Sequence, residues 1–197
     1  LHADARADGF TTVDLSGDTN ATASNVINAA AVTGGGMTLT GSVGVDAITG
    51  TAGADIITGG TGIDIILGGA SNDVIAYAAT ADFVAGSAVV DTIDGEAGAA
   101  DTILISNTAA TFTLANSDDL ARISNVETIT SIATDQIISL TLHADARADG
   151  FTTVDLSGDT NATANNVINA NAVTGGGMTL TGSVGIDTIT GTAGVDI

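Results

Sequence analysis

GSVGVDAIT (41–49), GTAGADIIT (50–58), GGTGIDIIL (59–67) and GGASNDVIA (68–76) follow one another without a break. Each block opens on glycine, places aspartate sixth (Asp46, Asp55, Asp64, Asp73) and isoleucine eighth (Ile48, Ile57, Ile66, Ile75). Glycine tolerates the left-handed backbone that a tight loop requires. The closing apolar, β-branched residues suit a short strand with its eighth side chain turned inward. A period of nine with one strand per block implies a coil in which two blocks complete a turn. Asp46 then stacks on Asp64 and Asp55 on Asp73, with Ile48 over Ile66 and Ile57 over Ile75. The predicted fold is all-β: a parallel β-solenoid whose core is one side chain wide.

The same blocks carry a metal-site signature. Loop carbonyls turned inward by glycine, joined by short rigid carboxylates, form a set of hard oxygen donors. Calcium accepts six to eight such oxygens in flexible geometry, whereas magnesium demands a stricter octahedron. Zinc and copper would call for His or Cys, which are almost absent. The candidate ligands are Asp46, Asp55, Asp64 and Asp73, with Gly44, Gly53 and Gly62 shaping the loops. Weaker echoes of the frame at Gly86–Asp94 and Gly95–Leu104 add Asp91 and Asp101. A later copy adds Asp187 and Asp196.

The run 41–76 resembles the repeats-in-toxin (RTX) calcium-binding β-roll of secreted bacterial proteins. Two departures stand out. Only the third and fourth blocks double the glycine (Gly59-Gly60, Gly68-Gly69), and Ser71 replaces the fourth-position glycine. The first and last sites are therefore expected to bind more weakly. The resemblance implies a Ca2+-binding β-roll segment, export as an unfolded chain, and folding in extracellular calcium. The strands around it resemble, in texture, the β-solenoid parts of bacterial surface-layer and large RTX surface proteins.

A longer repeat encloses the short one. Residues 1–56 recur as 142–197, differing only at Ser24/Asn165, Ala30/Asn171, Val45/Ile186, Ala47/Thr188 and Ala54/Val195. The expected organisation is β-solenoid strands over 1–40, the nonapeptide β-roll over 41–76, and degenerate repeats with further solenoid over 77–141. Residues 142–197 then open the next copy of a 141-residue module. Strands are expected near Phe10–Leu15, Met37–Thr40, Thr102–Ser106, Thr111–Leu114, Val126–Ile132 and Ile137–Leu142. One helical turn is expected at Ser117–Ile123, with Ser117 capping Asp118, Asp119 and Leu120. The chain reads as a piece of something longer.

Composition narrows the function. With 23 acidic residues, three arginines and no lysine, the formal charge is −20. Nucleic acid, which needs a basic stripe, is an unsuitable partner. There is no cysteine for a disulfide and no apolar run of the roughly 18 residues that a membrane span requires. His2 and His143 recur in His-Ala-Asp-Ala-Arg-Ala-Asp, but no nucleophile or third ligand is suitably spaced, so a polar turn is the expectation. Asp4, Asp8, Asp14 and Asp18, with Asp145, Asp149, Asp155 and Asp159, read as turn formers first and calcium ligands second. No H-E-x-x-H, G-x-S-x-G or phosphate loop is present, so an enzyme is not expected. The expected function is a calcium-dependent structural module of a secreted, self-assembling cell-surface protein, in a surface layer or fibre. Expected partners are calcium, further copies of itself and a cell-surface polysaccharide anchor. The alternatives are the stalk of a giant RTX adhesin and the C-terminal calcium module of a secreted hydrolase.

Overall fold

The computed structural model describes residues 1–86, 88–106, 111–118, 120–132, 134 and 136–197. Its elements are almost all short strands, as a chain rich in glycine and poor in aromatics dictates. The first stretch holds β1 (Thr12–Asp14), β2 (Ser24–Asn28) and β3 (Thr38–Thr40). The nonapeptides give β4 (Val45–Thr49), β5 (Ile56–Thr58), β6 (Ile65–Leu67) and β7 (Val74–Tyr77). Next come the single helix among the described residues, α1 (Thr80–Phe83), then β8 (Val84–Ala85), β9 (Ala88–Val89), β10 (Thr92–Asp94) and β11 (Thr102–Ile105). They are followed by β12 (Phe112–Leu114), β13 (Ile123–Ser124), β14 (Thr128–Ser131) and β15 (Ile138–Thr141). The second copy repeats the first as β16 (Thr153–Asp155), β17 (Asn165–Asn169), β18 (Thr179–Thr181) and β19 (Ile186–Thr190).

The chain forms two compact units. One comprises Leu1–Ala76, Val90–Thr102 and Arg122–Val126. In it, β1, β3, β5 and β7 pair in that order, and β2, β4, β6, β10 and β13 make a second sheet. Every pairing in both sheets for which a register is resolved is parallel. Successive nonapeptide strands alternate between the sheets, so each strand pairs with the next but one. Ile48 lies beside Ile66 and Ile66 beside Ile93 in one sheet, and Ile57 beside Ile75 in the other. All five are 0–1% exposed. The expected solenoid with a core one side chain wide is present.

The other unit comprises Tyr77–Val89, Ile103–Ala121 and Glu127–Ile197. Here β11, β14, β16 and β18 form one sheet, and β12, β15, β17 and β19 another. The hairpin β8–β9 is antiparallel. Phe83 at the end of α1 is buried against Tyr77, with ring centroids 4.8 Å apart, and against Phe112 at 5.9 Å. These three aromatics supply bulk to a chain otherwise built from Ile, Val and Leu.

One sequence expectation is overturned. Among the described residues of 117–123 no helical turn forms: Ile123 opens strand β13, and Ser117, Asp118, Leu120, Ala121 and Arg122 are turn and irregular chain. Asp118, buried, takes the Ala115 amide on its own carboxylate at 2.6 Å, and its amide donates to the Ala115 carbonyl at 2.9 Å. That closed turn uses the groups a helix start would need. Asp119, also in the expected turn, lies outside the described residues. The helix that does form, α1, has Ala79 before it and no side-chain cap, so no capping residue announces it.

Candidate metal centre

In the first unit the sixth-position aspartates form two columns. Asp46, Asp64 and Asp91 make one; Asp55, Asp73 and Asp101 make the other. Parallel stacking brings each carboxylate beside the turn before it. Asp46 Oδ1 accepts the Asn25 amide (3.3 Å), Asp64 Oδ1 the Asp46 amide (2.8 Å), and Asp91 Oδ1 the Asp64 amide (2.8 Å). In the second column Met37 donates to Asp55 (2.5 Å), Asp55 to Asp73 (2.8 Å) and Asp73 to Asp101 (2.6 Å). The spacing is 18 residues within the nonapeptides, rising to 27 at Asp64–Asp91 and 28 at Asp73–Asp101. The echoes thus keep their place although residues 77–89 intervene in the chain.

All six carboxylates are at most 1% exposed. Asp46, Asp55 and Asp73 have no ion-pair partner among the described residues. Arg122, one of three arginines in the chain, spends its guanidinium on the Asp91 carbonyl (3.2 Å) and the Thr92 hydroxyl (2.9 Å). Buried carboxylates of one sign, 18 residues apart and stacked, repel one another and lose hydration.

The loops are of two kinds, which the doubled glycine had signalled without explaining. In the first two blocks a hydroxyl residue stands second. The Ser42 amide donates to Asp46 Oδ2 and the Thr51 amide to Asp55 Oδ2, both at 2.6 Å. The Ser42 and Thr51 hydroxyls lie 3.0–3.2 Å from the same carboxylates, and the Gly44 and Gly53 amides donate to those hydroxyls in turn. In the third and fourth blocks glycine stands second and the backbone is left-handed: φ is +104° at Gly60, +133° at Gly62, +111° at Gly69 and +77° at Ser71. There the loops lie directly on the previous turn. A Cβ on Gly60 would fall 1.8 Å from the Ser42 carbonyl oxygen, on Gly62 2.1 Å from that of Gly44, and on Gly69 2.0 Å from that of Thr51.

Asp73 shows what the glycine loop leaves undone. Its Oδ2 is buried and has no hydrogen-bond partner among the described residues. Burial above all, with the neighbouring Asp55, Asp101 and Glu96 charges adding to it, pushes its carboxyl up to about 7, against the Asp55 amide that favours the charged form. First-position glycines serve the carboxylates by absence of bulk. A Cβ on Gly41, Gly50, Gly59 or Gly68 would meet the Oδ2 of its own block's aspartate at 2.4–2.6 Å.

The predicted residues are therefore distributed as follows. Asp46, Asp55, Asp64, Asp73, Asp91 and Asp101 come together in two columns. Gly62 supplies a left-handed loop, whereas Gly44 and Gly53 are close-packing positions: a Cβ would fall 2.3 Å from the Ala23 oxygen and 2.5 Å from the Gly36 nitrogen. Asp187 and Asp196, in the second unit, are half-buried and sit in hydroxyl loops with Ser183 and Thr192. Four contributors were not foreseen. Ser42 and Thr51 hold carboxylates. Asn25 extends the first column, its side-chain amide reaching Asp18 and Ser42 at 3.1 Å. Gly98 has a would-be Cβ 2.3–2.6 Å from both Asp101 oxygens and the Ser71 carbonyl. Asp14 and Asp18 form local turns instead, accepting the amides of Ser16 and Asn20. Their copies Asp155 and Asp159 do the same.

The donor set fits calcium. It is all oxygen, it includes a buried carboxylate oxygen that no hydrogen-bond donor reaches among the described residues, and it offers no soft ligand. Among the described residues no three His, Cys, Asp or Glu side chains converge, so an ion here draws on backbone carbonyls beside its carboxylates. A family model, the RTX calcium-binding nonapeptide repeat (four copies), matches residues 40–75, 49–84 and 174–197. No curated protein and no solved structure gives a match to the chain. RTX nonapeptide repeats bind Ca2+ and are structural, not catalytic, modules. The glycine-led blocks of nine that set Asp46, Asp55, Asp64 and Asp73 in these columns on a parallel β-solenoid thus lie within the part of the chain that matches the RTX calcium-binding nonapeptide repeat.

Proposed function

We propose that calcium binds between successive loops of each column and that folding of the β-roll depends on it. Asp46, Asp64 and Asp91, with the loops at Gly44 and Gly62, hold ions on one edge. Asp55, Asp73 and Asp101, with the loop at Gly53, hold them on the other. Asp187 and Asp196 are the corresponding ligands of the second copy. The observation that carries this reading is Asp73, a buried carboxylate with an oxygen lacking a donor. A divalent cation supplies the charge and the bond it lacks. Calorimetric titration of the chelator-stripped protein tests the assignment: calcium should bind with defined stoichiometry, and Asp73→Asn should lose at least one ion. Unchanged stoichiometry in that variant would sink it.

The module's setting is a secreted, self-assembling cell-surface protein, in a surface layer or fibre. RTX repeat proteins are typically secreted, and no helix among the described residues is long and apolar enough to cross a membrane, which leaves strands out of account. Near-identical modules in series suit a spacer or lattice better than a catalyst. The stalk of a large adhesin is the second reading, favoured by the same tandem. The calcium module of a secreted hydrolase is the third. A cell-surface polysaccharide is the anchor that the first two readings call for. Electron microscopy of the parent protein on cells separates them: a two-dimensional lattice supports the first and isolated projections the second. Hydrolytic activity in the parent chain would support the third.

A further inference from the structure

The 141-residue repeat places nearly the same 56 residues in two surroundings, and the difference between them identifies a docking edge. In the second unit, β16 and β17 are covered on one side. β14 pairs with β16, aligning Ile129 with Val154, and β15 pairs with β17, aligning Leu140 with Ile168. The Thr152 amide donates to the Glu127 carbonyl at 2.8 Å, and the Ile138 amide to Asn166 Oδ1 at 2.8 Å. Phe151, Leu142, Val154, Leu156 and Asp159 are all 0% exposed.

In the first unit, among the described residues, β1 pairs only with β3 and stands at the edge of its sheet; β2 pairs only with β4 and does the same. The equivalent residues are uncovered. Phe10 is 60% exposed and Leu1 48%, and Val13, Leu15 and Asp18 are half-buried. Glycine makes the comparison sharper. A Cβ on Gly158 would fall 2.3 Å from the Ser131 carbonyl oxygen, so glycine is needed there; a Cβ on Gly17 would meet nothing within 4 Å. The first copy thus has a glycine and a buried-type phenylalanine suited to a neighbour that only the second copy has.

We infer that the outer edge of β1 and β2 is a docking surface for the closing segment of another copy of the module, the sequence of Glu127–Thr141, whose strands equivalent to β14 and β15 add in parallel in the register seen in the second unit. The occupant is specified by the molecule itself. The same segment already covers this edge in the second copy, which is identical to the first at 51 of 56 positions, through main-chain hydrogen bonds and matched apolar residues. The surface goes beyond calcium binding, since it determines how one module joins the next.

The test uses the full chain and an extended chain in which residues 77–141 are added before Leu1, both in calcium. Hydrogen exchange of the unextended chain should protect the β16 and β17 amides about tenfold or more over those of β1 and β2. In the extended chain β1 and β2 should rise to the same level. Equal protection of both copies without the extension, or unchanged β1 and β2 with it, overturns the inference. Glycine gives a second readout. Gly158→Ala should lower the melting temperature in either chain, whereas Gly17→Ala should do so only in the extended one. A Gly17→Ala effect that ignores the extension also overturns it. Failure of the calcium reading would be distinct, because β16 and β17 would then keep their protection in chelator.

Discussion

At the scale of single residues, the second position of each block decides how its aspartate is held. Ser42 and Thr51 satisfy Asp46 and Asp55 from within the loop, whereas Gly60 and Gly69 give up that bond for a left-handed backbone lying on the turn before. Ser71 adopts φ +77° where its frame calls for glycine, and its hydroxyl donates to the Ala52 carbonyl at 3.1 Å. Ser71→Gly should therefore stabilise the calcium-loaded protein by about 1 kcal/mol, the left-handed cost it removes less the entropy it adds. Urea unfolding would show it, and a loss of stability would mean that the hydroxyl bond outweighs the strain. Asp73 makes a pH prediction. Its carboxyl lies near 7 in the fold against an ordinary 3.8. Below the lower value both folded and unfolded chains keep the proton, and no penalty arises. Between the two values the unfolded chain has released it while the fold retains it, so metal-free stability falls as pH rises towards 7. In chelator the protein should keep more of its far-ultraviolet strand signal near pH 5 than near pH 8, with a smaller difference in Asp73→Asn. Calcium affinity should move the other way, weakening below pH 7 as the ion competes with the proton. A metal-free protein equally stable at both pH values would remove Asp73 as the penalised group.

At the scale of elements, the strands were legible because their physics is local. An inward isoleucine at every eighth position and a glycine at every first leave little freedom, and β4 to β7 fall on the nonapeptide frame. Asp46 over Asp64 and Asp55 over Asp73 followed from the same period. What escaped was whatever depends on contacts between distant turns. Gly44 reads like Gly62 in sequence, yet only Gly62 is left-handed: both lie against the turn before, but the Gly44 amide is held by the Ser42 hydroxyl, which the third block replaces with Gly60. The short helix α1 depends on Phe83 reaching Tyr77 and Phe112, and Ser117 looked like a cap until Asp118 closed the turn on Ala115. A core one side chain wide has nothing to relax into a gap. Ile66→Ala, in the middle of Ile48–Ile66–Ile93, should cost about 3–5 kcal/mol, towards the upper end for such truncations. It should also weaken calcium binding, since the strand that carries Ile66 follows directly from Asp64. Denaturation in saturating calcium and a calcium titration of the same variant check both halves.

At the scale of the whole molecule, a formal charge of −20 and two columns of six buried carboxylates in all are hard to reconcile with a stable fold in plain water. Two remedies differ in kind. Mobile salt screens charges at the surface, with a Debye length of about 10 Å at 0.1 M, but reaches buried pairs poorly. A bound divalent ion enters the column and replaces lost hydration with direct oxygen bonds. If surface repulsion were the main obstacle, either remedy would suffice. The columns place the obstacle inside, so only the second should work. Stripped of calcium by a chelator, the protein should lose much of its far-ultraviolet strand signal. About 0.5 M sodium chloride should restore little of it, magnesium little more, and millimolar calcium nearly all. Full recovery in sodium chloride alone would mean that general repulsion dominates and that the buried aspartates tolerate being empty. Recovery specific to calcium would make the aspartates the switch on which this acidic solenoid depends.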